Sequence, residues 1–208
     1  MKKSDKFWDK FALRYAKSPV SDKVTYQRKL TETQAYLAPD KHILEFGCGT
    51  GTTAIYHAPY VQYVDALDIS ENMLNIAREK AQDAEVENVK FTRTTLTEFN
   101  ADTASIDGGL GLNVSHVLPD RQVVLSEVAR ILKPGGIFVS STACLGKSPL
   151  RFIKFIVPLG KYLGLMPDVF ILTEEKLAYE IRKSGLAIKI QWHHGKGGTN
   201  VFIIARKI

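Results

Sequence analysis

The sequence predicts an α/β protein: a doubly wound, mostly parallel sheet of seven strands with an antiparallel last strand, helices on both faces and an amino-terminal helical cap. Three observations predict it. Short apolar runs alternate with longer amphipathic segments, a glycine-rich turn follows the first run directly, and the chain closes with two β-rich runs joined by Gly195-Lys196-Gly197-Gly198.

Residues 7–17 and 21–37 place apolar side chains at helical spacing and are separated by Ser18-Pro19, which predicts two helices ahead of the sheet; Ala38-Pro39-Asp40 ends the second. The apolar runs 42–46, 63–68, 89–92, 106–112 and 136–141 read as buried parallel strands, because strands covered on both faces lose the polar alternation of a half-exposed sheet. Between the second and third, Ser70 caps a helix running to about Asp83, with Glu71 suited to its positive end. A further helix spans 120–132 and is stopped by Lys133-Pro134-Gly135-Gly136. Residues 173–184 form the last helix, ended by Gly185, and 186–193 with 199–206 form the closing hairpin.

With 208 residues, 45% hydrophobic and 24% charged, the composition is that of a globular chain with one sizeable core. Cys48 and Cys144 make neither a disulfide framework nor a zinc motif, which points to a reducing compartment, and a cytoplasmic location is expected. The amino terminus has no apolar run of a secretory signal, and no stretch reaches the roughly 18 apolar residues of a membrane span. Charge is uneven: residues 1–41 carry 10 basic and 5 acidic side chains, 42–132 carry 6 and 13, and 133–208 carry 12 and 4. Scattered solubilising lysines explain the basic ends; an anionic substrate, a membrane surface or nucleic acid would explain them as well.

The most informative segment is Ile43-Leu44-Glu45-Phe46-Gly47-Cys48-Gly49-Thr50-Gly51, a strand running into three glycines and then a helix. Glycine admits positive φ and lets a ligand approach the backbone without meeting a Cβ. A tight strand-to-helix turn would use the same residues. The second strand ends at Asp68, 17 residues beyond Gly51, where a carboxylate can accept both hydroxyls of an adenosine ribose or can serve as a helix cap. Turn and acid together define an adenosine-type pocket at the carboxyl ends of the strands. A dinucleotide site would prefer a glycine where Thr52 stands, which disfavours a nicotinamide-dependent oxidoreductase.

Leu44-Glu45-Phe46-Gly47-Cys48-Gly49-Thr50-Gly51, Ala66-Leu67-Asp68-Ile69-Ser70-Glu71-Asn72-Met73-Leu74 and Ile131-Leu132-Lys133-Pro134-Gly135-Gly136 come in this order. In these pieces the chain resembles the class I S-adenosylmethionine-dependent methyltransferases, which have a Rossmann-like fold. It is most similar to the small-molecule branch that includes ubiquinone and menaquinone methyltransferases. The resemblance covers roughly residues 40–143, and the closing hairpin agrees with the family's seven-stranded sheet. From the length, a single methyltransferase domain over 1–208 is expected, divided into a helical cap (1–40), a cofactor-binding core (41–143), a lid-like insertion (144–172) and the final helix and hairpin (173–208).

The resemblance also implies roles. Glu45 and the loop Gly47, Cys48, Gly49, Thr50 and Gly51 would hold the methionine portion of S-adenosylmethionine, Asp68 the ribose, and Ile69 and Met73 the adenine. Family members often place an acid at the adenine edge; here Thr95, followed by Leu96, stands there. Asn113 matches the position near the methyl group, and Tyr15 on the amino-terminal helices is expected to close over the cofactor, or else to be a buried aromatic joining helix to sheet.

Methyl transfer needs orientation and exclusion of water more than acid–base groups, so a general base is optional. His116 is the candidate base, because imidazole titrates near neutral pH; the alternative is a structural histidine capping the following turn. His193 and His194 are adjacent in a strand, point to opposite faces and cannot chelate one metal; no metal site is expected. Cys48 fits the turn as a small packed side chain. In the insertion, Phe152, Phe155, Ile156, Leu159 and Leu163 follow helical spacing with Arg151, Lys154 and Lys161 beside them. Phe152 and Phe155 are the candidate acceptor contacts if the segment is a lid; ordinary packing and peripheral membrane or partner contact are the other readings.

The expected function is therefore methyl transfer to a small, partly apolar acceptor. A nucleic-acid methyltransferase lacks support from any Asn/Asp-Pro-Pro-aromatic motif, and a non-catalytic protein that binds S-adenosylmethionine or S-adenosylhomocysteine is the rival of a different class. The acceptor atom and the oligomeric state are not encoded in any motif.

Overall fold

Ile43 and Leu44, neighbours in the first strand, are both buried and belong to apolar clusters on opposite faces of the sheet. That is why the strand reads as continuously apolar. The computed structural model describes residues 3–18, 22–149, 151–152, 156–157, 160 and 166–208. Strands β1 (His42–Phe46), β2 (Tyr63–Asp68), β3 (Val89–Arg93), β4 (Ile106–Leu112), β5 (Leu132–Ala143), β6 (Leu186–His194) and β7 (Asn200–Lys207) form one sheet in the order β3-β2-β1-β4-β5-β7-β6. The pairs from β3 to β5 are parallel, and β7 runs antiparallel to both β5 and β6.

Helices α3 (Thr52–His57) and α4 (Glu71–Asp83) cover one face through Ala54, Leu74 and their neighbours, while α5 (Arg121–Ile131) and α6 (Glu174–Lys183) cover the other through Leu125, Val128, Leu177 and Ile181. Truncating a fully buried side chain such as Leu44 to alanine costs about 2–5 kcal/mol. The caps follow the sequence: Ser70 accepts the Met73 N–H at 3.2 Å, and Thr173 accepts that of Lys176 at 3.3 Å.

Two cap helices precede the sheet, α1 (Lys3–Ala16) and α2 (Lys23–Gln34). Asp9 of α1 accepts the Ser70 hydroxyl at 2.7 Å and the Asn72 N–H at 3.2 Å, which fixes α1 on the amino-terminal end of α4, where a carboxylate is favoured by the helix dipole. On the other side, Trp192 donates to Glu32 at 2.7 Å and Arg28 lies 4.0 Å over the indole, tying α2 to β6.

The expected strand boundaries hold at β1, β2 and β4. β5 differs: it begins at Leu132, not at residue 136. Lys133-Pro134-Gly135-Gly136 does end the helix, but Leu132 already pairs with Ile106, and a register shift with Gly135 at φ +78° carries the chain into the main ladder. Among the described residues no helix is long and apolar enough to cross a membrane.

Candidate functional site

Sheet order reverses between β1 and β4, and the crevice at their carboxyl ends is where open α/β sheets take ligands. A cavity of about 1160 Å³ opens there. It is reached by Tyr15, Gly47, Gly49, Asp68, Ile69, Met73, Thr95, Leu96, Asn113 and His116, so residues from five parts of the chain converge on one site.

The glycine turn is built by contacts that exclude side chains. At Gly47 (φ +64°) an added Cβ would lie 2.7 Å from Val114, and at Gly51 (φ +72°) 2.8 Å from Ala77 and 2.9 Å from Phe91. Gly47 thus lets the loop after β4 come close, and Gly51 lets α4 and β3 come close. Thr50 and Cys48 are buried and absent from the cavity lining: Lys80 donates to the Thr50 hydroxyl at 2.9 Å, and burial pushes the Cys48 thiol well above its ordinary range, leaving it an inert packed group.

Asp68 accepts the Gly49 N–H at 2.8 Å and the Ser70 N–H at 2.9 Å. Burial raises its pKa, opposed by the hydrogen bonds from Ser70, Gly49 and Ile69. Glu45 lies deeper. It is 3% exposed, its Oε2 has no partner, and burial, with the Asp68 charge added, pushes its pKa up to about 8. Glu45 is not among the residues that line the cavity.

Tyr15 sits over the turn, its ring edge 3.7 Å from where a Gly49 Cβ would be, yet it remains 49% exposed. It lines the cavity and is half exposed.

Asn113 adopts φ +57°, a conformation asparagine tolerates, and its N–H donates to the Ser141 carbonyl at 2.7 Å. The turn that follows carries His116, whose Nδ1 is buried without a partner and whose pKa is lowered by burial, so the imidazole is neutral near pH 7. Two contacts clamp this turn: Phe170 N–H donates to the His116 carbonyl at 2.8 Å, and Arg121, held bidentately by Glu180 at 2.6 and 3.1 Å, reaches the Ser115 carbonyl at 3.4 Å.

At one edge of the cavity, Thr95 donates to Glu98 at 2.9 Å, and Glu98 lines the cavity. Glu98 stands three residues after Thr95, across one 3₁₀ turn. Sequence reading overlooked it, although the Thr-x-x-Glu spacing was the available signal. It also overlooked Val117, Leu118, Val123 and Val124, which give the cavity an apolar wall beside α5.

Phe152 is 55% exposed, stacks under Arg151 at 5.0 Å, and is not among the lining residues; Phe155 lies outside the described residues. From the returning arm, Asp168 lines the cavity. His193 and His194 turn apart, one meeting Glu174 at 2.7 Å and the other Ser141 at 3.1 Å. Among the described residues no group of three or more His, Cys, Asp or Glu side chains is placed to hold a metal ion.

Comparison with known proteins matches a methyltransferase domain model to residues 43–136. A Bacillus subtilis protein named uncharacterized methyltransferase YcgJ is 33% identical over 168 residues, covering 77% of this chain and 66% of its own. The demethylmenaquinone methyltransferase of Listeria welshimeri is 32% identical over 147 residues, covering 69% and 60%. The chain thus spans 60% to 66% of the length of these relatives. Among solved structures, geranyl diphosphate C-methyltransferase from Streptomyces coelicolor, in complex with Mg²⁺, geranyl diphosphate and S-adenosylhomocysteine, superposes with a TM-score of 0.73 at 14% identity, over 89% of this chain and 80% of that one.

Proposed function

We propose, for a chain that belongs to the class I S-adenosylmethionine-dependent methyltransferases, that it transfers a methyl group from S-adenosylmethionine to a small, partly apolar acceptor. The observation that carries this reading is the convergence of the glycine turn, Asp68 and Asn113 on the crevice between β1 and β4.

The residues present fit that cofactor. Gly47 and Gly49 leave the turn open to close approach, Asp68 offers a carboxylate to ribose hydroxyls, and the unpartnered Glu45 oxygen suits an ammonium group. Ile69 and Met73 would flank the adenine, with Thr95, Leu96 and Glu98 at its edge. Tyr15 would cover the cofactor, and Asn113 would stand beside the transferred methyl. Bound there, S-adenosylmethionine supplies an electrophilic methyl group and its own leaving group.

The chain supplies orientation, exclusion of water and, at His116, a neutral imidazole for an acceptor's proton. Two features support the acceptor class. The cavity of about 1160 Å³ exceeds the roughly 1,000 Å³ upper end of single-ligand pockets, leaving room for a second molecule. Its free wall is apolar, formed by Val117, Leu118, Val123 and Val124. Two of the similar proteins are named for small molecules, demethylmenaquinone and geranyl diphosphate.

The test is to incubate the chain with methyl-labelled S-adenosylmethionine and a panel of small phenols, quinols, amines and isoprenoids, with an RNA transcript as a separate arm. Label is expected on an apolar small molecule. Label on RNA alone, or tight cofactor binding with no transfer to any member, would overturn this reading.

A further inference from the structure

The segment that presents His116 to the cavity is a single 3₁₀ turn, Ser115–Val117, between β4 and α5. A histidine that takes a proton is ordinarily oriented by a carbonyl or carboxylate on its second ring nitrogen. His116 lacks that support at Nδ1, which is buried without a partner. The direction of the imidazole therefore rests on packing and on the backbone that carries it.

Three separate elements hold that backbone. In β5 the Ser141 carbonyl accepts the Asn113 N–H, and ahead of α6 the Phe170 N–H donates to the His116 carbonyl at 2.8 Å. The third contact is charged. Arg121, the first residue of α5, reaches the Ser115 carbonyl through Nη1 at 3.4 Å, while its Nε and Nη2 hold both oxygens of Glu180 on α6 at 2.6 and 3.1 Å.

This pair is costly where it stands. Its side chains are 9% and 12% exposed, and taking two charges out of water offsets much of their attraction. Each charge also lies at the unfavourable end of its helix, Arg121 in the first turn of α5 and Glu180 in the last turn of α6. Exchanging the two would suit both dipoles better. Helix stability thus does not account for an arginine at this position. The guanidinium fork does, because it holds Glu180 with two donors and still offers a third to Ser115.

We propose that Arg121, held by Glu180, is a positioning residue for His116, fixing the Ser115–His116 turn so that the imidazole faces the acceptor side of the cavity. The proposal rests on the reading of His116 as the group that takes the acceptor's proton.

Two double variants test it without leaving a buried charge unpaired. Arg121→Met/Glu180→Leu replaces the pair by apolar groups of similar volume, an exchange that buried pairs commonly tolerate. Arg121→Glu/Glu180→Arg keeps opposite charges on α5 and α6, each at its favoured helix end, but sets a carboxylate beside the Ser115 carbonyl. The first readout is the ring spectrum of the ligand-free chain carrying ¹³C-labelled histidine, with the His116 signal assigned among the five histidines by its loss in His116→Ala. Wild type should give one sharp signal, and both double variants a broadened or divided one. S-adenosylhomocysteine affinity by calorimetry should stay within about twofold, which also shows that the variants are folded. With the acceptor that takes label in the panel above, kcat should fall about 10- to 100-fold while KM for S-adenosylmethionine holds, as expected of a misplaced reacting group. In a His116→Ala background the same substitutions should cause no further fall, because the effect runs through His116.

An unmoved His116 signal in both double variants would overturn the proposal. So would wild-type kcat in the charge-exchanged variant, which would reduce the pair to a structural tie, or an equal fall in kcat in the His116→Ala background. Full transfer by both variants despite an altered ring signal would overturn it and leave the methyl-transfer reading standing; a wild type that transfers label to no member of the panel would overturn both.

Discussion

The Asp68 carboxylate and the Gly49 N–H are joined at 2.8 Å across the β1–β2 boundary, so the acid proposed to meet the ribose also braces the glycine turn. Its other oxygen holds the Ser70 N–H at 2.9 Å. Asp68→Ala should therefore fail twice. S-adenosylhomocysteine affinity should fall about 10- to 100-fold, and stability should drop by about 1–3 kcal/mol for each buried N–H left unpaired. Asp68→Asn keeps an acceptor oxygen and should recover part of the stability without the affinity. Titration and urea unfolding of the two variants separate these effects.

His116 has a pKa lowered by burial, so the base form is present at neutral pH and is lost only below the ordinary imidazole range. Turnover should be flat through neutrality and fall on the acid side. His116→Ala should lower turnover about 100-fold or more, abolish that acid limb and leave cofactor affinity unchanged. Unchanged turnover across several pH values would return His116 to a structural role.

Gly51 faces Ala77 and Phe91 with no room for a Cβ, and its φ is +72°. Gly51→Ala should cost about 1–3 kcal/mol from overpacking and about 1–2 kcal/mol from the left-handed backbone. Urea unfolding measures it directly. Gly197, at φ +70° but with nothing within 4 Å, should show only the backbone part on substitution.

His57 is neutral in the fold, its pKa pulled from 6.5 to about 4 by burial. The unfolded chain then binds a proton between those values that the folded chain does not. Its contribution is fully present above pH 6.5 and is lost as pH falls toward 4, by about 3 kcal/mol over the window. Urea unfolding at pH 7 and pH 4.5 should show this loss, and His57→Leu should flatten it.

The strands were legible because burial on both faces makes β1, β2 and β4 continuous apolar runs, and the glycine turn with Asp68 was legible because each has a local spacing. β5 was harder: Leu132 joins the sheet through a single pair with Ile106 before the register shifts, which no local pattern announces. Glu98 was hidden for a similar reason, since its arrival beside Thr95 depends on a 3₁₀ turn. The buried His57, with neither ring nitrogen partnered, was out of reach of sequence reading altogether, because an unpartnered imidazole is a property of packing, not of spacing.

The most direct test of the adenosine pocket is calorimetric titration of the chain with S-adenosylmethionine, S-adenosylhomocysteine and NAD. Binding of the two sulfur compounds without NAD is the expected result. Binding of NAD in preference to both, or binding of neither sulfur compound, would contradict the assignment of the crevice between β1 and β4 to this cofactor.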